Sequence, residues 1–196
     1  MGRANSRKKG SKAVIIVVCV VIAVAAVLGG LFVFGDLNWQ AKYPLKYEEL
    51  IVKYADEYAL DPYFVAAVIH TESGFDAEAV SGAGAMGLMQ VMPETGEWVA
   101  GKLGLEGFNK EMLLDPETNI EMGCWYLGFL KERFPNEEAV MAAYNAGHGR
   151  VQEWLDDAQY STDGTTLDSI PFKETENYVK KVTNAYEKYK EHYELG

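Results

Sequence analysis

Residues 61–76, DPYFVAAVIHTESGFD, predict a buried helix that carries an acidic residue at its end. Asp61 can cap the helix N-terminus, and proline is favoured at the first helical position, here Pro62. Gly74 is the residue type that most often stands just beyond a helix C-terminus. The apolar residues at helical spacing, which should face the core, are Val65, Val68 and Ile69.

Glu72 lies in the last turn of this helix, four residues after Val68 and three after Ile69, so it projects from the apolar face. Burial and the negative end of the helix dipole both disfavour a charged carboxylate, and the pKa of Glu72 should therefore be raised. A carboxyl group that keeps its proton near neutral pH can act as a general acid. Helix position alone leaves an alternative, a surface glutamate hydrogen-bonded to loop amides.

The rest of the chain after residue 44 has helical periodicity, and no long alternating run indicates a sheet. The fold class predicted for residues 45–196 is therefore mainly α. Residues 156–169 are polar, lack periodicity and predict a loop. Further helices are predicted across 44–60, from Asp115-Pro116 to about Phe134, from Asn136 to near Gly147, around 151–155, and from about Glu174 to Tyr193.

Residues 13–34, AVIIVVCVVIAVAAVLGGLFVF, contain no charged side chain. About 20 apolar residues suffice for a helix to cross a bilayer, so this run predicts a transmembrane helix. No acidic residue precedes Asp36, and the positive-inside rule then places the short N-terminus in the cytoplasm and the rest outside. The basic residues before the run are Arg3, Arg7, Lys8, Lys9 and Lys12.

A cleaved signal peptide is the main alternative for this segment, with Ala23-Val24-Ala25 as a cleavage site, but its apolar core would be shorter than this run. A lipoprotein signal is disfavoured because no small residues directly precede Cys19. The predicted organisation is a cytoplasmic tail (1–12), a single-pass signal anchor (13–34), a linker (35–44) and an extracytoplasmic domain (45–196).

The part of the chain outside the predicted membrane is strongly acidic. Five of the 18 basic residues lie in the N-terminal tail, which leaves 13 against 29 acidic residues and a net charge of −16. Nucleic acid would be repelled and is not expected as a partner.

Cysteine and histidine are scarce. The two cysteines lie on different sides of the predicted membrane boundary, so no internal disulfide is expected. Cys124 is predicted to be a small buried residue. His70-Thr71-Glu72 has an H-x-E pattern, but the two side chains point to different sides of a helix. No metal site and no cofactor are predicted.

Four blocks in order carry a resemblance to a known family: ESGFDAEAVSGAGAMGLMQVMPETG (72–96), NIEMGCWYL (119–127), AYNAGHGRV (143–151) and IPFKETENYV (170–179). Together they strongly resemble the lytic transglycosylases with an SLT-type, lysozyme-like domain, over about residues 45–190. The resemblance implies a mainly α, lysozyme-like SLT domain that acts on peptidoglycan glycan strands, between N-acetylmuramic acid and N-acetylglucosamine.

The resemblance also implies roles for individual residues. Glu72 would be the single catalytic acid/base, with the Tyr144 hydroxyl beside it and Glu174 and Tyr178 near the cleavage point. Phe75-Asp76 departs from the pair that the family often has, outside the catalytic positions. Periodicity alone would also allow Met89 and Met92 to be core residues. The residues implied to contact substrate are Ser81, Met89, Gln90, Met92, Tyr144, Asn145, Glu174 and Tyr178.

A single carboxyl group is unusual, because ordinary glycosidases use two. Asp76, Glu78 and Glu174 are available as a second acid, but the resemblance assigns none of them that role. In the family's chemistry the C6 hydroxyl of the muramic sugar attacks its own C1 and gives a 1,6-anhydro end, so no water need be activated. A hydrolytic muramidase on the same fold and an inactive wall-binding domain remain as alternatives.

Overall fold

The computed structural model describes Val24, Val27 and residues 39–196. Apart from the two valines, the predicted tail and anchor lie outside the described residues, as does the first part of the predicted linker. No helix within the described part of the chain is long and apolar enough to cross a membrane. The chain divides into two units, Met1–Lys42 and Tyr43–Gly196, and the fold below is that of the second unit.

The regular secondary structure of Tyr43–Gly196 is almost entirely helical, as the sequence predicts. Strand-like pairing in this unit is limited to two isolated bridges, Val80 with Met86 and Met86 with Val91. The helices are α1 (Glu48–Glu57), α2 (Pro62–Ser73), α3 (Pro93–Leu103), a 3-10 turn (Lys110–Leu114), α4 (Pro116–Arg133), α5 (Glu137–Ala146), α6 (His148–Asp156) and α7 (Lys173–His192).

The predicted starts of three helices are confirmed by their capping bonds. The Asp61 carboxylate accepts a hydrogen bond at 2.9 Å from the N–H of Tyr63, the second residue of α2. Asp115 and Asn136 accept equivalent bonds at the starts of α4 and α5, each at 2.9 Å. Gly74 ends α2 in the left-handed region with φ of 62°, a conformation that glycine adopts without steric cost.

Two elements, α3 and the 3-10 turn, were not predicted, and α6 is longer than predicted. Gly96 and Gly101 weaken the helical signal of α3 because glycine is a poor helix former. Gly96 instead allows close packing, since a Cβ there would lie 2.9 Å from the Phe108 ring and 3.2 Å from the Leu113 side chain. Tertiary contact therefore stabilises a helix that its own sequence disfavours.

Helix α2 is central to the core and packs against α1 and α7. Val65, Val68 and Ile69 are buried as predicted, and so is Cys124 on α4. On α7, Tyr186 is half-buried and donates a hydrogen bond to Asp61 at 2.8 Å. The same helix buries Tyr178, Val179, Val182 and Tyr189.

Candidate active site

Glu72 is held half-buried at the C-terminal end of α2. Burial raises the pKa of its carboxyl to about 7, and the nearby Tyr178 hydroxyl opposes part of this rise. The Tyr178 hydroxyl is buried and faces the carboxyl, although the two groups do not reach standard hydrogen-bond geometry. Near neutral pH, Glu72 is therefore protonated in a substantial fraction of molecules, as a general acid requires.

Two tyrosines from distant helices flank this carboxyl group. Burial, and next the negative charge of Glu72, hold the pKa values of Tyr144 and Tyr178 well above the ordinary tyrosine value. The Tyr144 hydroxyl donates a hydrogen bond to the Met89 carbonyl at 2.9 Å. Helices α2, α5 and α7 and the loop before α3 thus meet at Glu72.

The loop between α2 and α3 is fixed to the helices by buried side chains. Asn119 at the start of α4 is fully buried and accepts a hydrogen bond from the Met89 N–H at 2.7 Å. Its amide group donates to the carbonyls of Met86 at 2.9 Å and Leu113 at 2.7 Å. The Ser73 hydroxyl donates to the Leu88 carbonyl at 2.8 Å, which joins this loop directly to the end of α2.

The close packing of the α2–α3 loop against Leu113 and Asn119 requires a glycine at position 87. Its φ is 76°, and a Cβ at this position would lie 2.1 Å from the Leu113 carbonyl oxygen. Gln90 also has a positive φ, of 49°. Its side-chain amide donates to the carbonyls of Ala79 at 3.1 Å and Gly87 at 2.9 Å. Both N–H groups of that amide are thus occupied within the loop, and only its oxygen can serve a ligand.

A cleft of about 200 Å³ opens beside these residues, between the loop, α4 and the end of α5. Asn145 in its wall accepts a hydrogen bond from the Thr175 hydroxyl at 2.8 Å, which connects α5 with α7. Glu72 does not line this cleft itself, but Tyr144 borders both the cleft and the carboxyl. The lining residues are Gln90, Val91, Met92, Thr95, Tyr126, Tyr144, Asn145, Ala146 and Gly147.

Larger depressions lie elsewhere on the surface. One of about 470 Å³ is lined by residues of α1 and α4, including Tyr58 and Trp125, and another of about 580 Å³ lies at residues 47–50. Neither is lined by Glu72, Tyr144 or Tyr178, so size does not identify the chemical site. Across the described part of the chain, no three His, Cys, Asp or Glu side chains come close enough together to hold a metal ion.

Comparison with known proteins identifies the domain. The model of the family described as the transglycosylase SLT domain matches residues 49–165. The chain belongs to the transglycosylase SLT domain family. This assignment confirms the family resemblance of the four sequence blocks. It also agrees with the mainly helical, lysozyme-like fold that the resemblance implies.

Individual relatives are similar to this chain over most of its length. The soluble lytic murein transglycosylase of Escherichia coli K12 is 37% identical over 153 residues, which cover 76% of this chain and 24% of the relative. The membrane-bound lytic murein transglycosylase C of Actinobacillus pleuropneumoniae is 31% identical, over 80% of this chain and 48% of the relative. This chain therefore spans between a quarter and a half of the length of these two relatives.

Among solved structures, an inactive glutamate-to-glutamine mutant of lytic transglycosylase Slt from Pseudomonas aeruginosa superimposes with a TM-score of 0.68 at 31% identity. The match covers 78% of this chain and 25% of that one. The 70 kDa soluble lytic transglycosylase of Escherichia coli superimposes with the same TM-score, 0.68, and supports the same fold assignment.

The SLT domain gathers some predicted substrate contacts and separates others. Gln90, Met92, Tyr144 and Asn145 line one cleft, and Tyr178 lies at Glu72. Ser81 is not in the cleft, and its hydroxyl accepts a hydrogen bond from the Ala85 N–H at 2.9 Å. Glu174 is exposed, one helical turn before Tyr178, and therefore on the same side of α7.

Met89 is the predicted contact that the SLT domain structure contradicts. Its side chain is fully buried, and its sulfur lies where a Cβ on Gly123 would come within 2.3 Å. A side chain with no exposed surface cannot touch a sugar in this conformation, because the reversal at Gly87 turns it inward. Met89 packs between the loop and α4, and contributes to the site only through its backbone.

Three residues that shape the SLT domain site were given no role from the sequence: Ser73, Asn119 and Thr175. Each positions another group through a hydrogen bond, and none is in the cleft. Asn119 had a detectable signal, because helical spacing places it on the same side of α4 as Gly123 and Leu127, which are buried. A polar residue on a buried face must find partners.

Proposed function

We propose that this protein is a membrane-anchored peptidoglycan lytic transglycosylase in which Glu72 is the only catalytic acid/base. The observation that carries the proposal is the half-buried Glu72 carboxyl, with a pKa near 7, between two tyrosines at the edge of a cleft in an SLT domain. Similar proteins are named lytic murein transglycosylases, and a glutamate-to-glutamine mutant of one of them is inactive.

The chemistry follows from one group that can both give and take a proton. Protonated Glu72 donates its proton to the glycosidic oxygen as the bond from C1 of N-acetylmuramic acid breaks, and the N-acetylglucosamine leaves as an alcohol. The Glu72 carboxylate then removes the proton of the C6 hydroxyl, whose oxygen bonds to C1. A pKa near the working pH suits both steps, and the intramolecular nucleophile makes a second carboxylate unnecessary.

The flanking groups have separate roles in this proposal. The Tyr178 hydroxyl faces the Glu72 carboxyl and can stabilise the carboxylate between the two proton transfers. The Tyr144 hydroxyl is committed to the Met89 carbonyl and holds the loop against the site. Gln90, Met92 and Asn145 would contact the sugars in the cleft. Ser81 and Glu174 would contact the glycan strand outside it.

The reaction product tests this proposal. We expect peptidoglycan treated with the purified full-length protein in detergent to release fragments that end in 1,6-anhydromuramic acid, because the C6 hydroxyl is the nucleophile. Such ends are lighter than hydrolysed ends by one water and resist reduction by borohydride, which mass spectrometry detects. Predominantly reducible muramic ends would identify the hydrolytic muramidase instead. Binding without any cleavage would identify the wall-binding alternative.

The proposed membrane placement rests on the uncharged run 13–34 and the basic residues before it. A relative named as membrane-bound gives general support. We expect alkaline phosphatase fused after Gly196 to be active in cells, because that reporter requires export, and a fluorescent protein that folds only in the cytoplasm to be dark at the same position. The reverse pattern of the two fusions would overturn the placement and the domain organisation built on it.

A further inference from the structure

A second cleft of about 240 Å³ adjoins the candidate active cleft. It is lined by Glu94, Thr95, Trp98, Tyr126 and His148. Thr95 and Tyr126 also line the cleft beside Glu72, so the two depressions adjoin each other at these two side chains. The second cleft extends from these shared residues to Trp98 on α3.

Trp98 is held in a fixed orientation by three rings of α4. The rings of Trp125, Tyr126 and Phe129 are almost parallel to one another, with angles of 7° between Trp125 and Phe129 and 16° between Tyr126 and Phe129. The indole of Trp98 stands nearly perpendicular to all three, at 82°, 88° and 77°. Edge-to-face contacts of this kind are favourable and fix the direction in which the indole points.

The indole nevertheless remains 37% exposed, which makes Trp98 one of the exposed large apolar side chains of the domain. An aromatic surface that is held rigidly binds a ligand with little loss of side-chain entropy. Polar groups accompany it in the same cleft: the Thr95 hydroxyl, the Glu94 carboxylate and the pair formed by the Tyr126 hydroxyl and His148 Nδ1, which lie 3.5 Å apart.

A ring with an apolar face and hydroxyl groups at its edge fits this combination, because the face can stack on the indole while the edge reaches the polar groups. We propose that Trp98, Thr95, Tyr126 and His148 form a sugar-binding extension of the active cleft, here called the aromatic shelf. It takes a further sugar unit of the same glycan strand. The inference rests on the proposed function, since the strand must already occupy the cleft beside Glu72.

Binding to sugar oligomers of two lengths tests the aromatic shelf without any turnover. The parent is the full-length Glu72→Gln protein in detergent, and the probes are a trisaccharide and a hexasaccharide of β-1,4-linked N-acetylglucosamine, measured by calorimetry. Adding Trp98→Ala should weaken hexasaccharide binding about tenfold, the size expected for one lost aromatic contact. Binding of the trisaccharide, which can remain in the cleft, should weaken much less. Trp98→Tyr, which keeps an aromatic face, should recover most of the hexasaccharide affinity.

Leu105→Ala in the same parent is the matched control, because Leu105 is 38% exposed and lies just beyond α3. It should not change either affinity. The aromatic shelf is wrong if Trp98→Ala binds the hexasaccharide as tightly as the parent. It is also wrong if both oligomers weaken equally, which would make Trp98 a packing residue. Failure of the parent to bind either oligomer would count against the proposed function as well as the shelf.

Discussion

Glu72→Gln is expected to lower the rate of peptidoglycan cleavage by about a thousandfold or more, because glutamine keeps the shape of the side chain but has no proton to transfer. The rate is measured as soluble fragments released by the full-length protein. Circular dichroism on the same sample should show unchanged helix content. Glu187→Gln, which alters an exposed glutamate on α7, is the control and should retain activity.

The same substitution should change the pH dependence of stability. The pKa of Glu72 is raised from about 4.5 when unfolded to about 7 when folded, so the folded state binds more protons between these values. The contribution of Glu72 to the free energy of unfolding of the unmodified protein should therefore fall as pH rises from about 4.5 to 7, then level off. Glutamine does not titrate, and Glu72→Gln should gain up to about 3 kcal/mol relative to the unmodified protein above pH 7.

Chemical denaturation at several pH values measures this difference. A relative stability of Glu72→Gln that does not change between pH 5 and pH 8 would mean that Glu72 is solvated in solution, and its assignment as a pre-protonated acid would fail. Full cleavage activity of the variant would instead reassign Glu72 to a structural role. The cleavage rate and the stability are measured independently. Loss of cleavage without the pH-dependent stability difference would keep Glu72 as a catalytic residue but contradict its raised pKa.

Asn119→Ala is expected to reduce the free energy of unfolding by about 3–5 kcal/mol, because it leaves several buried backbone groups without their partner. These groups are the N–H of Met89 and the carbonyls of Met86 and Leu113. The loop that they fix carries Gln90 and supplies the carbonyl that holds Tyr144. Cleavage activity should therefore fall even at temperatures where the variant remains folded.

Asn109→Ala is the matched control for this prediction. Asn109 precedes the 3-10 turn, is exposed, and makes no capping hydrogen bond through its side chain. Denaturant midpoints and cleavage rates are compared for the two alanine variants at the same temperature. Equal midpoints for both would show that the loop is held by packing around Gly87 and Met89 rather than by the Asn119 hydrogen bonds.

The sequence by itself determined the helical fold and most helix boundaries, because the responsible interactions are local. Asp61, Asp115 and Asn136 cap helices whose first N–H groups lie within three residues, and Gly74 ends α2 through its own backbone conformation. The position of Glu72 on the apolar side of the last turn also followed from spacing alone. The raised pKa of the Glu72 carboxyl could also be predicted, because one helix determines both the position of this side chain and its burial.

Only the tertiary structure decided which groups surround Glu72 and where the loop side chains point. Tyr144 and Tyr178 reach the carboxyl because α5 and α7 pack beside α2, and no local pattern specifies that packing. Met89 turns inward because the positive φ at Gly87 and Gln90 interrupts any periodicity. Trp98 lies on α3, a helix stabilised by contacts distant in sequence. Local sequence specifies dihedral angles and caps, whereas a site assembled from four segments depends on how their surfaces fit together.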